Sequence, residues 1–237
     1  MRTETFRTEQ LPRLRISLPS GSAELETHDG PDIVVELEGP HEDEALIELR
    51  GNDVVVDVGR KRFFGSVRSH RLVIRAPHGA AVDGSLASAD IRAQGRYGRV
   101  KAHLASGDVS FESIEAGADI ATASGDVDIR RLAGGGAIRS ASGDVELGEA
   151  EGDMSVKTAS GDVLLGSVAA GKLTVHSASG DVEIGITQGS TVWMDVNSMS
   201  GDTTCELDPR DEAPAEGRPL VELRAVTMSG DVTIKRA

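Results

Sequence analysis

Ala105-Ser-Gly-Asp-Val109, Ala123-Ser-Gly-Asp-Val127, Ala141-Ser-Gly-Asp-Val145 and Ala159-Ser-Gly-Asp-Val163 follow one another at eighteen-residue steps, and Ala178-Ser-Gly-Asp-Val182 follows after nineteen. Looser copies stand at Met199-Ser-Gly-Asp-Thr203 and Met228-Ser-Gly-Asp-Val232, and a degenerate one, Ala87-Ser-Ala-Asp-Ile91, lies eighteen residues upstream of the first. A fixed period of this length means one supersecondary unit stacked on copies of itself.

Aligning the copies on the serine exposes the apolar columns. After the tripeptide, alternate residues are apolar: Val109 and Phe111, Val127 and Ile129, Val145 and Leu147, Val163 and Leu165, Val182 and Ile184, Val232 and Ile234. Before it, Val100 and Ala102, Ala118 and Ile120, Met154 and Val156, Leu173 and Val175, Met194 and Val196, and Leu223 and Ala225 alternate in the same way. Period two is the signature of a strand with one buried face. A weaker column, Ile114, Leu132, Ala150 and Val168, precedes a glycine-rich turn and is read as a third short side.

The fold class that follows is all-β: a single-stranded parallel β-helix, or β-solenoid, with about 18 residues per coil. Strands stack about 4.8 Å apart, so about ten coils make a rod roughly 50 Å long. A right-handed sense is the default for parallel connections, although hexapeptide coils of this length also wind left-handed. Glycine at the centre of the tripeptide permits a positive φ at the corner, and the alanine before the serine is small enough to tuck inside it. Residues 1–80 carry irregular strands at 14–18, 32–37, 45–49, 54–58 and 72–75 and are read as capping coils; residues 81–237 form the regular solenoid of one continuous domain. Pro19-Ser-Gly-Ser-Ala23 looks like an early corner. At the other end the strand Val232–Ile234, guarded only by Lys235 and Arg236, is expected to be an open edge suited to end-to-end contact.

The Ser-Ala-Ser-Gly-Asp-Val-x-Ile cadence over residues 86–234 resembles a bacterial adhesin-like β-solenoid domain family, a domain of unknown function. The resemblance implies a β-helix, associated in some members with cell-envelope or stress-response roles, and carries over no catalytic residue.

Composition narrows the function. The net charge is −14 and the pI near 4.8, which argues against nucleic-acid binding because that needs a basic footprint. Aromatics make up 3% of residues, too few for sugar platforms or base-stacking surfaces. Residues 1–10 contain no apolar run and no segment reaches the length of a membrane span, so the chain is expected to be cytoplasmic, without membrane association. A single cysteine fits a reducing compartment.

Three features stand out as candidate sites. Asp108, Asp126, Asp144, Asp162 and Asp181 should stack as a ladder along one corner. Carboxylates 4.8 Å apart repel by roughly 0.9 kcal/mol even in water, so something must offset them. Either calcium bridges successive coils, or, as the repeat length favours, each carboxylate accepts backbone N–H groups of its own turn. The second feature is Arg60-Lys61-Arg62-Phe63-Phe64 with Arg68, a basic, aromatic island in an acidic chain and a candidate contact surface for an acidic partner, anionic lipid or the body's own acidic face. Its plainer role is a solvated loop whose phenylalanines pack on the core. The third is the proline-rich acidic insertion at 208–217, read as a flexible spacer that lengthens one coil.

Cys205 falls in the column of Ile184 and Ile234 and is expected to be a small buried hydrophobe. The six histidines show no metal-ligand spacing. The expectation is therefore a non-enzymatic structural or interaction protein, a rigid scaffold that self-associates through its ends as a homo-oligomer or recruits a protein partner, with no cofactor. The alternatives are a carbohydrate-active β-helix enzyme, which would use clustered carboxylates, and a calcium-stabilised adhesin. Against the enzyme, the outward column Asp128, Glu146 and Glu183 is interrupted by Leu164.

Overall fold

The structure is a computed structural model and describes residues 1–59, 69–207 and 219–237. Its strands in chain order are β1 (Arg2–Arg7), β2 (Arg13–His28), β3 (Asp32–Glu38), β4 (Leu46–Arg50), β5 (Asp53–Asp57), β6 (His70–Pro77) and β7 (Ala81–Tyr97), then a series of pairs. The pairs are β8 (Val100–Ser106) with β9 (Val109–Ile114), β10 (Ala118–Ser124) with β11 (Val127–Leu132), β12 (Gly136–Ser142) with β13 (Val145–Ala150) and β14 (Met154–Ser160) with β15 (Val163–Val168). They continue as β16 (Gly171–Ser179) with β17 (Val182–Ile186), β18 (Thr191–Ser198) with β19 (Thr203–Cys205), and β20 (Leu220–Ser229) with β21 (Val232–Arg236). The only described helix is a 3₁₀ turn at Glu42–Glu44, and among the described residues no helix is long and apolar enough to cross a membrane.

Each strand pair is one coil. The first members stack in parallel and in register, as Ile120 on Ile138 on Val156 on Val175, and so do the second members, as Ile129 on Leu147 on Leu165 on Ile184. The all-β solenoid expected from the repeat is the fold observed. Its core is the set of inward columns; Ile120, Ile129, Val156, Leu165, Val175 and Ile184 are all fully buried. Burial of a Val, Leu or Ile side chain contributes about 1.5–3 kcal/mol.

The expected third side is not separate. Ile114, Leu132, Ala150 and Val168 are buried at the ends of β9, β11, β13 and β15. Pairing skips Arg130 opposite Gly148, so the second strand kinks and aims a third apolar residue inward. At the kink a Cβ on Gly148 would lie 2.5 Å from the Arg130 carbonyl oxygen. Nor do the alanines tuck inside. Ala105, Ala123, Ala141, Ala159 and Ala178 are exposed, while Thr122, Ser140, Thr158 and Ser177, one residue earlier, are buried. Strand alternation simply continues into the corner and turns the alanines outward.

Sequence order and stacking order part company at both ends. β2 lies between β7 on one side and β5 with β6 on the other, although β5 and β6 follow it in the chain. Gly21, at φ +128, stacks on Ala89, which confirms Pro19–Ala23 as a corner. Beyond β5 and β6 the direction reverses: β4 pairs antiparallel with β5, β3 with β6, and β1 with β3. The β1 strand has no apolar alternation in Arg-Thr-Glu-Thr-Phe-Arg and was not legible as a strand.

At the opposite end, β20 pairs with β16 on one side and β18 on the other, and β21 lies between β17 and β19. The expectation that Val232–Ile234 forms the open edge is therefore wrong. Val232 and Ile234 are fully buried, Lys235 pairs with Glu183 at 2.6 Å, and Arg236 donates to the carbonyls of Thr187 and Ser190. The last coil is β18–β19. The step from Asp202 to Asp231 is thus a return from the outermost coil to one beneath it, not one lengthened coil; the insertion at 208–217 lies outside the described residues.

Candidate functional site

The Ser-Gly-Asp corner is held by three inter-coil hydrogen bonds. The Gly125 N–H donates to the Ser142 carbonyl at 3.2 Å and the Val127 N–H to the Asp144 carbonyl at 2.9 Å, both towards the next coil. Between them Gly125 sits at φ +131, and this reverses the direction of the Asp126 N–H. That N–H faces the preceding coil, where the Asp108 carboxylate accepts it at 3.0 Å. The arrangement repeats through Asp144 on Asp126, Asp162 on Asp144, Asp181 on Asp162, Asp231 on Asp181 and Asp202 on Asp231, at 2.8–2.9 Å. Each aspartate supplies the acceptor that a reversed peptide cannot find in the backbone ladder. The expected hydrogen bonds to carboxylates exist, but they come from the next coil and not from the carboxylate's own turn. One oxygen of each inner carboxylate is thereby engaged. Among the described residues no three His, Cys, Asp or Glu side chains are grouped to hold a metal ion.

The candidate island residues Arg60, Lys61, Arg62, Phe63, Phe64 and Arg68 all lie outside the described residues. The outward column Asp128, Glu146, Leu164 and Glu183 is in register, with Leu164 at the break and Glu183 engaged by Lys235. On the opposite strands, outward Lys101, His103, Arg139 and Lys157 make a locally basic face, with Asp119 bound to Arg139 at 3.0 Å.

One cluster escaped the sequence reading because His78 lies 51 residues from Thr27. Thr27 Oγ1 lies 2.7 Å from His78 Nδ1, and His78 Nε2 lies 3.5 Å from Asp29. The order resembles a hydroxyl–imidazole–carboxylate relay. Its chemistry is structural: Thr27 Oγ1 also accepts the Arg96 N–H at 2.9 Å, which ties two coils together. Asp29, at 98% exposure, is too solvated to orient the ring strongly.

The last coil departs most from its neighbours. Met194 stands over Leu223 and Cys205 over Ile234 in the inward columns, yet Met194 is 37% exposed and Cys205 exposed, while Leu223 and Ile234 are buried. The expectation of a buried Cys205 assigned the right column and the wrong environment, because the coil that would cover it is absent among the described residues. Cys205 Sγ lies 4.0 Å from Met194 Sδ across the coil. Outward Trp193 is 61% exposed, and Met199 and Met228, in the column that holds alanine elsewhere, are 77% and 58% exposed. Asp202 ends the ladder. These side chains make an exposed apolar surface at an open sheet edge, the kind of feature that marks an interaction site.

The comparisons fit this architecture. Residues 16–235 match the family model described as Toastrack DUF4097. Among solved structures, the chain is similar to a "putative adhesin" from Bacteroides fragilis, with 10% identity and a TM-score of 0.59 over 100% of this chain and 96% of that one. It is also similar to a "putative adhesin" from Parabacteroides distasonis, with 12% identity and a TM-score of 0.56 over 100% and 96%. A "putative lipid binding protein" from Parabacteroides distasonis has 13% identity and a TM-score of 0.50 over the same shares. At these identities the likeness is one of fold. No curated protein matches.

Proposed function

The chain belongs to the Toastrack DUF4097 family, and we propose that it is a non-enzymatic interaction scaffold whose contact surface is its last coil. The observation that carries this reading is the contrast within one column: Leu223 buried, Met194 above it exposed. A stacked coil of the same composition would be covered, so the open coil holds apolar surface in water at a cost that a partner would remove. The ladder aspartates follow the repeat and accept its hydrogen bonds, which supports a non-enzymatic role. Adhesion, the word carried by two of the solved neighbours, is compatible with a stiff rod that contacts others at one end.

Affinity capture tests the proposal, with the wild-type chain compared against a variant carrying Trp193→Ser and Met199→Ser. The expected result is at least one partner, a further copy of the chain included, that binds the wild type and is lost from the variant. Identical recoveries from both proteins overturn it.

A further inference from the structure

Resting on the last coil as contact surface, we propose that its partner is the last coil of a second copy, docked tail to tail in a closed dimer.

The two ends of the rod are built differently. At the end formed by β1, β3 and β4 each strand runs antiparallel to the neighbour it pairs with, in place of the parallel ladder of the coils. Charged side chains stud that edge and are paired: Arg2 with Glu4 at 3.1 Å, Arg7 with Asp32 at 2.7 Å, and Arg50 with Glu48. Charged edges discourage strand addition. At the other end β18 reads Thr-Val-Trp-Met-Asp-Val-Asn-Ser, with one charge, and β19 reads Thr-Thr-Cys, with none. Among the described residues each pairs on one side only, β18 with β20 and β19 with β21.

The shape of the open end selects the occupant. Two edge strands and the corner between them must be covered together, with Met194 and Cys205 at the centre. A single added peptide strand satisfies one edge and leaves the other. A coil end of the same cross-section covers both, and among the described residues this chain has one that is open. The antiparallel, ion-paired end does not supply a second, so a head-to-tail filament is disfavoured. A two-fold contact consumes both open ends, and assembly stops at two.

Charge sets a further condition. Each copy carries −14, a total that includes Asp195, Asp202 and Glu206 of the last coil, with Asp195 paired to Arg224 at 3.7 Å. Association therefore comes from apolar burial against like-charge repulsion and strengthens as salt screens that repulsion. Lateral pairing of the Lys101 and Lys157 face with an acidic flank would weaken with salt instead.

Light scattering on the size-separated full chain, across concentration and salt, reads the assembly. The expected mass is twice the 24.8 kDa monomer, with the dimer favoured by added salt. Met194→Lys is expected to weaken dimerisation at least about tenfold while leaving circular dichroism unchanged, and thermal unfolding unchanged when measured on protein too dilute to dimerise. As a second readout, the Cys205 thiol should react slowly with a thiol reagent in the wild-type dimer and rapidly in Met194→Lys. A monomer under all conditions overturns the proposal, and a monomer with unreactive Cys205 shows that the chain covers its own end. Growth beyond the dimer, or a dimer untouched by Met194→Lys, overturns it too. If the monomer still captures a partner that the Trp193 and Met199 variant loses, the dimer falls and the contact surface stands; if neither is seen, both fall.

Discussion

The carboxylate of Asp144 accepts the backbone N–H of Asp162, one coil away, at 2.8 Å. The bond explains why a chain tolerates a column of like charges, since each carboxylate replaces a carbonyl that the corner's reversed peptide lacks. Asp144→Ala should cost about 0.5–1.5 kcal/mol, the net worth of one hydrogen bond. Asp144→Asn keeps an acceptor and sheds a charge, so it should be close to neutral. Urea unfolding of the two variants checks the ordering; equal losses would mean that the charge and not the acceptor matters.

Glycine at the corner answers two demands at once. Gly143 has φ +132, and a Cβ there would stand 2.2 Å from the Gly125 carbonyl oxygen of the coil below. Gly189 has φ +87 and open space around it. Gly143→Ala should destabilise by upwards of about 3 kcal/mol, strain and clash together, and Gly189→Ala by about 1 kcal/mol. Thermal unfolding separates them.

The buried hydroxyl column is unevenly satisfied. Thr122 and Thr158 donate to the Ser124 and Ser160 carbonyls at 3.1 Å, whereas the hydroxyls of Ser140 and Ser177 lack a partner among the described residues. Removing an unpaired buried hydroxyl relieves a desolvation cost. Ser140→Ala should therefore be neutral or stabilising, and Thr158→Ala destabilising by about 1 kcal/mol or more. A drop in melting temperature for Ser140→Ala would contradict the assignment.

Position along the rod should decide the cost of losing a large side chain. Phe111, buried and edge-to-face with Tyr97 at 5.5 Å between centroids, should cost about 3–5 kcal/mol on truncation to alanine. Trp193→Ala should fall within about 0.5 kcal/mol of wild type when measured on dilute protein. Chemical denaturation at low concentration compares them.

The Glu24–Arg71 pair gives a small acid dependence. The Arg71 guanidinium, hydrogen-bonded to both carboxylate oxygens, holds Glu24 below the ordinary carboxylate range. A carboxyl with a depressed folded value contributes stability that is present above about pH 4.3, its ordinary value, and is lost as pH falls through the folded value. Glu24→Gln should flatten the acid limb of the stability curve, slightly, since both side chains are solvated. An unchanged acid limb would deny the pair any part in it.

Which residues turn inward was legible wherever the repeat is strict. Val109, Ile129, Leu147, Leu165 and Ile184 needed no structure to be placed in the core, because alternation and an eighteen-residue step leave no other common face. The corner glycines were legible for the same reason, as residues of positive φ. The alanine beside the serine was misplaced because small size fits either side of a corner, and the acceptor role of the aspartates was half seen. Proximity in sequence suggested the turn itself, and only stacking shows that the N–H comes from the next coil. The relay of Thr27, His78 and Asp29 had no signal, since its members belong to different coils.

Sequence alone determined the kind of object: a stack of coils, with its inward columns, its corners and their spacing. Each of these is a local rule repeated, and a rule that recurs on every coil can be read from the letters. Tertiary structure decided the order of the coils at the ends. Val232–Arg236 obeys the same alternation whether it lies inside the stack or at its edge, because one strand's hydrogen bonds and apolar face fit any neighbouring rung equally well. The choice between β18 and β20 for the outermost place rests on contacts across the whole end of the rod, and that choice leaves Met194 and Cys205 in water and buries Val232 and Ile234.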